Sequence, residues 1–142
     1  MMINNYNLQR SNAYCPSNQE NWNRDDFWDW ADGKSSVWGY FYFGNAEENF
    51  GPSGPWTFNE AVTEPAFASK ITDDPHYRVL YADLNRECCG WSWWGPQRLG
   101  SNHFLGDHPH GSNEVFMDGH AEWIPWEKME PRMANGSSYM WW

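Results

Sequence analysis

The chain has 142 residues and a net charge of −10, from 9 Lys+Arg against 19 Asp+Glu. That balance argues against nucleic acid and anionic membrane surfaces as partners, because both need a basic footprint; it suits cations and carbohydrate. No segment reaches the roughly 18 to 20 apolar residues of a membrane span, and the N-terminus lacks the apolar run of a secretion signal.

Twelve tryptophans and an aromatic content of 19% set the character of the core. Aromatic side chains bury about 150–250 Å² each, so a chain poor in Leu, Ile and Val can still build an interior from them. Abundant Gly, Asn, Ser and Pro favour short strands joined by many turns. The length fits one domain over residues 1–142, with no internal repeat or linker.

In chain order, residues 1–13 read as a polar N-terminal arm. "CPSNQENW" is a turn, with Ser17 and Glu20 at capping-box spacing. "VWGYFYFGN", 37–45, is an aromatic strand closed by Gly-Asn. "FGPSGPW", 50–56, is loop. Thr57 and Glu60 repeat the capping-box spacing and predict a short helix stopped by Pro65. "HYRVLYADLN", 76–85, alternates and is rich in β-formers, and so predicts the central strand. Residues 88–111 form a long irregular loop, of a length that is usually functional. A hairpin at 113–124 and an irregular Trp- and Met-bearing tail, 127–142, complete the chain.

The hairpin is the clearest local signal. Asp118-Gly119 between two β-runs predicts a two-residue type I′ turn. In that register Met117 opposes His120, Phe116 opposes Ala121, and Val115 opposes Glu122. Phe116, Ala121 and Trp123 would then share the buried face. On this reading Asp118 needs no function beyond the turn, and His120 beside Glu122 is an ordinary solvated pair.

The cysteines, Cys15, Cys88 and Cys89, lack the C-x2-C spacing of metal sites. Adjacent Cys88 and Cys89 make a strained pair with each other. A bond from Cys15 to one of them, or three reduced and buried thiols, are the two arrangements left open.

His108, nine residues, then Asp118-Gly119 resembles the H-x9-DG signature of prepilin-like proteins, which include the pseudopilins of type II secretion. Gly111, Asn113, Val115, Phe116, His120 and Trp123 fit the same segment, whereas His110 and Glu114 depart from it. "YCPSN" at 14–18, "VWGYFYFGN" and "ITDDPHYRVLYAD" at 71–83 are similar to further segments of the family in the same order. The resemblance implies a pilin-like globular domain of α+β class, mostly β, with a small antiparallel sheet, long loops and a C-terminal hairpin, here without the apolar N-terminal helix. It implies a structural, non-catalytic subunit of an extracellular filament or cell-surface assembly, with copies of itself as partners. Export in turn favours the disulfide from Cys15 to Cys88 or Cys89 over reduced thiols.

Asp83, His108, Asp118 and His120 are the candidate metal ligands. Two imidazoles and two carboxylates suit zinc; a set of Asn102, Asp107 and Asp118 with backbone carbonyls would suit calcium, which takes oxygen ligands. Enzymatic signatures are absent, with neither a Gly-x-Ser-x-Gly elbow nor a His-Glu-x-x-His pair, so no catalytic residue is assigned. Trp91, Trp93, Trp94, Trp141 and Trp142 lie in segments read as irregular. They are expected either to cover a neighbouring copy or, in the alternative reading of a carbohydrate-binding surface module, to stack on polysaccharide.

Overall fold

The computed structural model describes residues 14–18, 40–44, 56–88, 100–106 and 108–142. The N-terminal arm, Cys89, Trp91, Trp93, Trp94 and Asp107 lie outside the described residues. Within them the chain is mostly β and antiparallel, and its helical turns are short 3-10 segments at Pro16–Asn18 and Trp126–Lys128. No helix among the described residues is long and apolar enough to cross a membrane.

The β-rich run anticipated at 76–85 forms strand β3 (Val79–Asp83), central in its sheet. It is flanked by β1 (Tyr40–Tyr42), inside the aromatic run, and by β7 (Gly111–Phe116), which pairs with β8 (Ala121–Pro125). The order in this first sheet is β1-β3-β7-β8. A second sheet has the order β2 (Thr57–Phe58), β9 (Pro131–Asn135), β10 (Ser138–Trp141) and β4 (Arg86–Cys88). A two-stranded ribbon of β5 (Phe104–Leu105) and β6 (His108–Pro109) lies within the segment expected to be a long irregular loop.

Two expectations change. Thr57 and Glu60 do not cap a helix, because tertiary partners claim both side chains. The Thr57 hydroxyl donates to the Ala134 carbonyl, and Glu60 accepts from the Tyr77 hydroxyl at 2.7 Å and from Arg132 at 2.8 Å. The tail is not irregular either. Gly136, at φ 59°, lets the chain reverse between β9 and β10, as a two-residue hairpin loop requires. Residues 131–141 thereby supply the middle of the second sheet.

The two sheets enclose one core. Val79 and Ala82 from the first sheet meet Met133 and Met140 from the second. Between them lies an aromatic cluster: Phe43 stacks on Phe67 at 5.0 Å and packs against Trp142 at 4.6 Å, and Tyr77 meets Trp142 edge-on at 5.5 Å. Trp142 is 5% exposed, so the last residue is interior, not a surface for a partner. Burial of large rings compensates for the scarcity of aliphatic side chains.

The hairpin register also differs by one residue. Val115 opposes Ala121, Glu114 opposes Glu122, and Asn113 opposes Trp123. Phe116 accepts from the Gly119 amide and donates to the His120 carbonyl, which leaves a three-residue loop with Gly119 at φ 88°. This is the three-residue hairpin in which a left-handed residue follows a tight turn. Because side chains alternate along a strand, the slip separates Trp123 from Phe116. Trp123 joins Asn113 on one face, and Phe116 and Glu114 turn to the other, where Phe116 packs on the core.

Glu114 is buried there at 4% exposure, and its Oε1 has no hydrogen-bond partner among the described residues. Burial pushes its carboxyl up to about 7; the charge of Arg132 pulls it down, and Glu122 and Asp83 push it further up. The folded value lies above the ordinary 4.5, so its contribution to stability is full below that pH and is lost as pH rises through about 7. Glu114→Gln should therefore flatten this loss. The variant is expected to unfold at higher denaturant than the parent above neutral pH, by up to about 3 kcal/mol, and the gap should close in acid. Denaturant titrations across that range check it.

Candidate metal centre

Asp83 ends β3 and is 1% exposed. An ionised carboxylate tolerates such burial only if donors surround it, and three residues from two segments provide them. The Asn113 backbone amide and side-chain amide donate to Oδ2 at 2.7 and 2.8 Å, and the Asn102 side-chain amide donates to Oδ1 at 3.1 Å. His103 Nε2 lies 3.1 Å from Oδ2. These contacts hold the Asp83 carboxyl below the usual range in spite of its burial.

His103 reaches Asp83 because residues 100–103 run antiparallel to the chain that follows β3. Asn85 bridges Ser101; the Arg86 amide donates to the Gly100 carbonyl at 2.6 Å, and the Asn102 amide to the Leu84 carbonyl at 3.2 Å. The Ser101 hydroxyl donates to Asn85 Oδ1 at 2.6 Å and accepts from the His103 amide at 3.2 Å. Trp123 closes the outer side, its ring edge-on to His103 at 5.3 Å. Gly111 makes room for that ring, since a Cβ there would run into the Trp123 side chain and the Ile124 carbonyl.

The third member is Cys15, buried, with a free thiol. Its Sγ lies 3.4 Å from the same His103 Nε2. Burial pushes the thiol up, but the His103 contact, the Ser17 amide of the adjoining 3-10 turn and the His103 charge together hold it below its ordinary value. His103 is in turn raised to about 10, first by Asp83 and then by Cys15, against burial. Tyr40, paired with Asp83 across β1 and β3, adds a phenol whose proton is held well above its usual range by burial and by Cys15 and Asp83.

Cys15 Sγ, Asp83 Oδ2 and His103 Nε2 belong to a group whose ligand atoms all lie within 4.8 Å of one another, and this cluster could hold a metal ion. The spacing is close to what coordination requires. With bonds of about 2.3 Å to sulfur and about 2.0–2.2 Å to nitrogen or oxygen, tetrahedral ligand atoms sit roughly 3.4–3.6 Å apart. A bound ion would take the place of the proton at His103 Nε2. The Asn102 and Asn113 amides would then orient the carboxylate, the outer-shell role that metal carboxylates commonly require.

Of the four metal ligands expected from the sequence, only Asp83 belongs to this cluster. Asp118 and His120 pair with each other at the exposed hairpin turn, where Asp118 Oδ1 accepts from both the His120 amide and its Nδ1. His108 donates from Nδ1 to the Pro109 carbonyl at 2.7 Å and stacks on Trp126 at 5.8 Å. Asn102, a member of the calcium set, lies at the site, where its side-chain nitrogen donates to Asp83. Cys15 is not in a disulfide: its sulfur faces His103. Cys88 lies in β4, where its backbone pairs with Ser138. Trp141 donates to Glu87 at 3.1 Å and packs on Trp126 at 4.8 Å, so neither it nor core-bound Trp142 is a free platform for sugar or a partner. His103 and Asn113 escaped sequence reasoning as site residues, although "SNH" at 101–103 lies in the segment flagged as functional by its length.

No protein-family model, curated protein or solved structure matches this chain.

In metal-free protein His103 contributes to stability by being raised above its ordinary 6.5. That contribution is full below 6.5 and disappears as pH rises through about 10. The stability advantage of the parent over His103→Gln should therefore shrink across this interval. Urea titrations of chelator-treated protein measure it. A constant difference across the interval contradicts the assigned charge pairing.

Proposed function

We propose that this chain is a non-catalytic, pilin-like structural subunit of an extracellular filament or cell-surface assembly, and that Cys15, Asp83 and His103 form a zinc clamp within it. The observation that carries the reading is where the similar segments lie. Residues 40–42, 79–83, 111–116 and 121–125, from three of the four stretches that resemble prepilin-like proteins, form one sheet, and Cys15, from the fourth, meets Asp83 at the end of β3. A resemblance spread over more than a hundred residues thus has one spatial focus.

The contact geometry favours a clamp over catalysis. A Cys–His–Asp relay needs nucleophile and orienting carboxylate on opposite ring nitrogens, so that one nitrogen moves the proton while the other is held. Here Cys15 and Asp83 both meet Nε2 of His103. A shared nitrogen suits a shared proton or a shared ion. Zinc is favoured over calcium because the thiolate is a soft ligand, whereas calcium takes oxygen. The clamp would tie the segment at 15 to chain positions 83 and 103, and a structural site of this kind adds its binding energy to folding.

Elemental analysis of protein purified without chelator should find one zinc per chain, and zinc added to stripped protein should raise its melting temperature by several degrees. Cys15→Ser should remove most of that rise. Electron microscopy of the zinc-loaded chain should show ordered polymers. Substoichiometric zinc with no thermal response contradicts the clamp, and a chain that stays monomeric at high concentration contradicts the assembly role.

A further inference from the structure

The two anionic groups of the clamp have unequal surroundings. Asp83 keeps donors of its own, the Asn102 side chain and both amides of Asn113, whatever sits at His103 Nε2. Cys15 meets His103 at that nitrogen, which is the atom an ion would claim. With the ion in place, the sulfur would lose the imidazole proton and depend on donors from elsewhere. The Ser17 backbone amide is one of them. A buried thiolate, like a buried carboxylate, is stabilised by further charge-assisted hydrogen bonds.

The first sheet supplies a second donor. Tyr40 on β1 stands directly opposite Asp83 on β3. Residues paired in this way project from one face, with Cβ atoms about 4.5–5.5 Å apart, so Tyr40 shares the face that carries the Asp83 cluster. Asn113 and Trp123, opposite each other on β7 and β8, belong to the same surroundings. Asn113 donates to Asp83, and Trp123 lies edge-on to His103. Tyr40 is half-buried, and its phenol lies within hydrogen-bonding reach of Cys15. A phenol there could serve as a ligand or as a donor, and charge decides between them. Zinc with one thiolate, one carboxylate and a neutral imidazole is already balanced. A phenolate would leave a net negative charge in a buried place, at the cost of an unpaired ion. The phenol therefore keeps its proton and directs it at the sulfur.

We propose that Tyr40 is the positioning residue of the Cys15 thiolate, donating its hydroxyl proton to Sγ as Asn102 and Asn113 donate to Asp83. The inference rests on the zinc-clamp reading of Cys15, Asp83 and His103. A hydrogen bond to a coordinated sulfur draws electron density from it, and proteins tune sulfur-ligated metals in this way.

Tyr40→Phe removes the hydroxyl and keeps the ring. Tyr42→Phe is the control, because Tyr42 lies two residues along the same strand, pairs with Tyr81 and is 44% exposed. Zinc affinity of the full chain, read by competition with a chromophoric chelator, should fall about 10–100-fold in Tyr40→Phe and hold at the parent value in Tyr42→Phe. In cobalt-loaded protein the sulfur-to-metal charge-transfer band should move to lower energy in Tyr40→Phe alone, since a sulfur without its donor gives up electron density more readily. Parent affinity in Tyr40→Phe, or weaker binding with the band unmoved, overturns the role of Tyr40 and leaves the clamp standing. Loss of one oxygen from the zinc X-ray absorption shell of Tyr40→Phe makes the phenol a ligand and overturns the donor role as well. A parent chain that takes up neither ion overturns the clamp, and this inference with it.

Discussion

The Cys15–Asp83–His103 cluster depends on the buried carboxylate of Asp83. Removing such a charge from water costs several kcal/mol unless its oxygens are filled by donors. The donors come from two places in the chain: β7 through Asn113, and the 100–103 segment through Asn102 and His103. The demand for donors thus dictates that the end of β3, the side of β7 and the chain before β5 meet. Cys15 enters through His103, which the carboxylate keeps protonated and therefore attractive to a thiolate. Loss of Asp83 would leave an imidazole, a thiol and two amides with no common centre.

The first sheet divides two environments by its alternation. Asn113 and Glu114 are neighbours on β7 and face opposite ways. Asn113 serves the Asp83 cluster, and Glu114 enters the aromatic core, where its Oε1 has no partner among the described residues. Glu114 is one of the positions at which the hairpin departs from the H-x9-DG pattern. A carboxyl placed there costs stability at neutral pH.

Much of the fold was legible in the sequence, and the reasons for the misses are specific. The alternating "VLYAD" run and the "YFY" stretch carry strand character locally, and both are strands. Asp118-Gly119 marks a hairpin, but a dipeptide signal does not set loop length. One extra residue in the loop moved Trp123 to the face of the Asp83–His103 cluster. Asn135-Gly136 carried a similar turn signal in the tail, obscured by the Trp and Met content that suggested an interface. At Thr57 and Glu60 the capping spacing was real, but Ala134, Tyr77 and Arg132, more than fifteen residues away in each case, competed successfully for both side chains. The candidate site was legible at Asp83 and misplaced elsewhere. Spacing in the chain grouped His108, Asp118 and His120, whereas convergence in space chose Cys15 and His103, separated by 88 positions. No local pattern encodes a contact of that range.

One proposed coordination sphere ties Cys15, Asp83 and His103 together. Zinc-edge X-ray absorption on the zinc-loaded chain reads it directly. A shell with one sulfur at about 2.3 Å and nitrogen or oxygen ligands at about 2.0–2.2 Å, with the sulfur lost in Cys15→Ser, is the predicted result. A shell of nitrogen and oxygen only, unchanged by that substitution, would place the ion elsewhere and contradict the Cys15–Asp83–His103 centre.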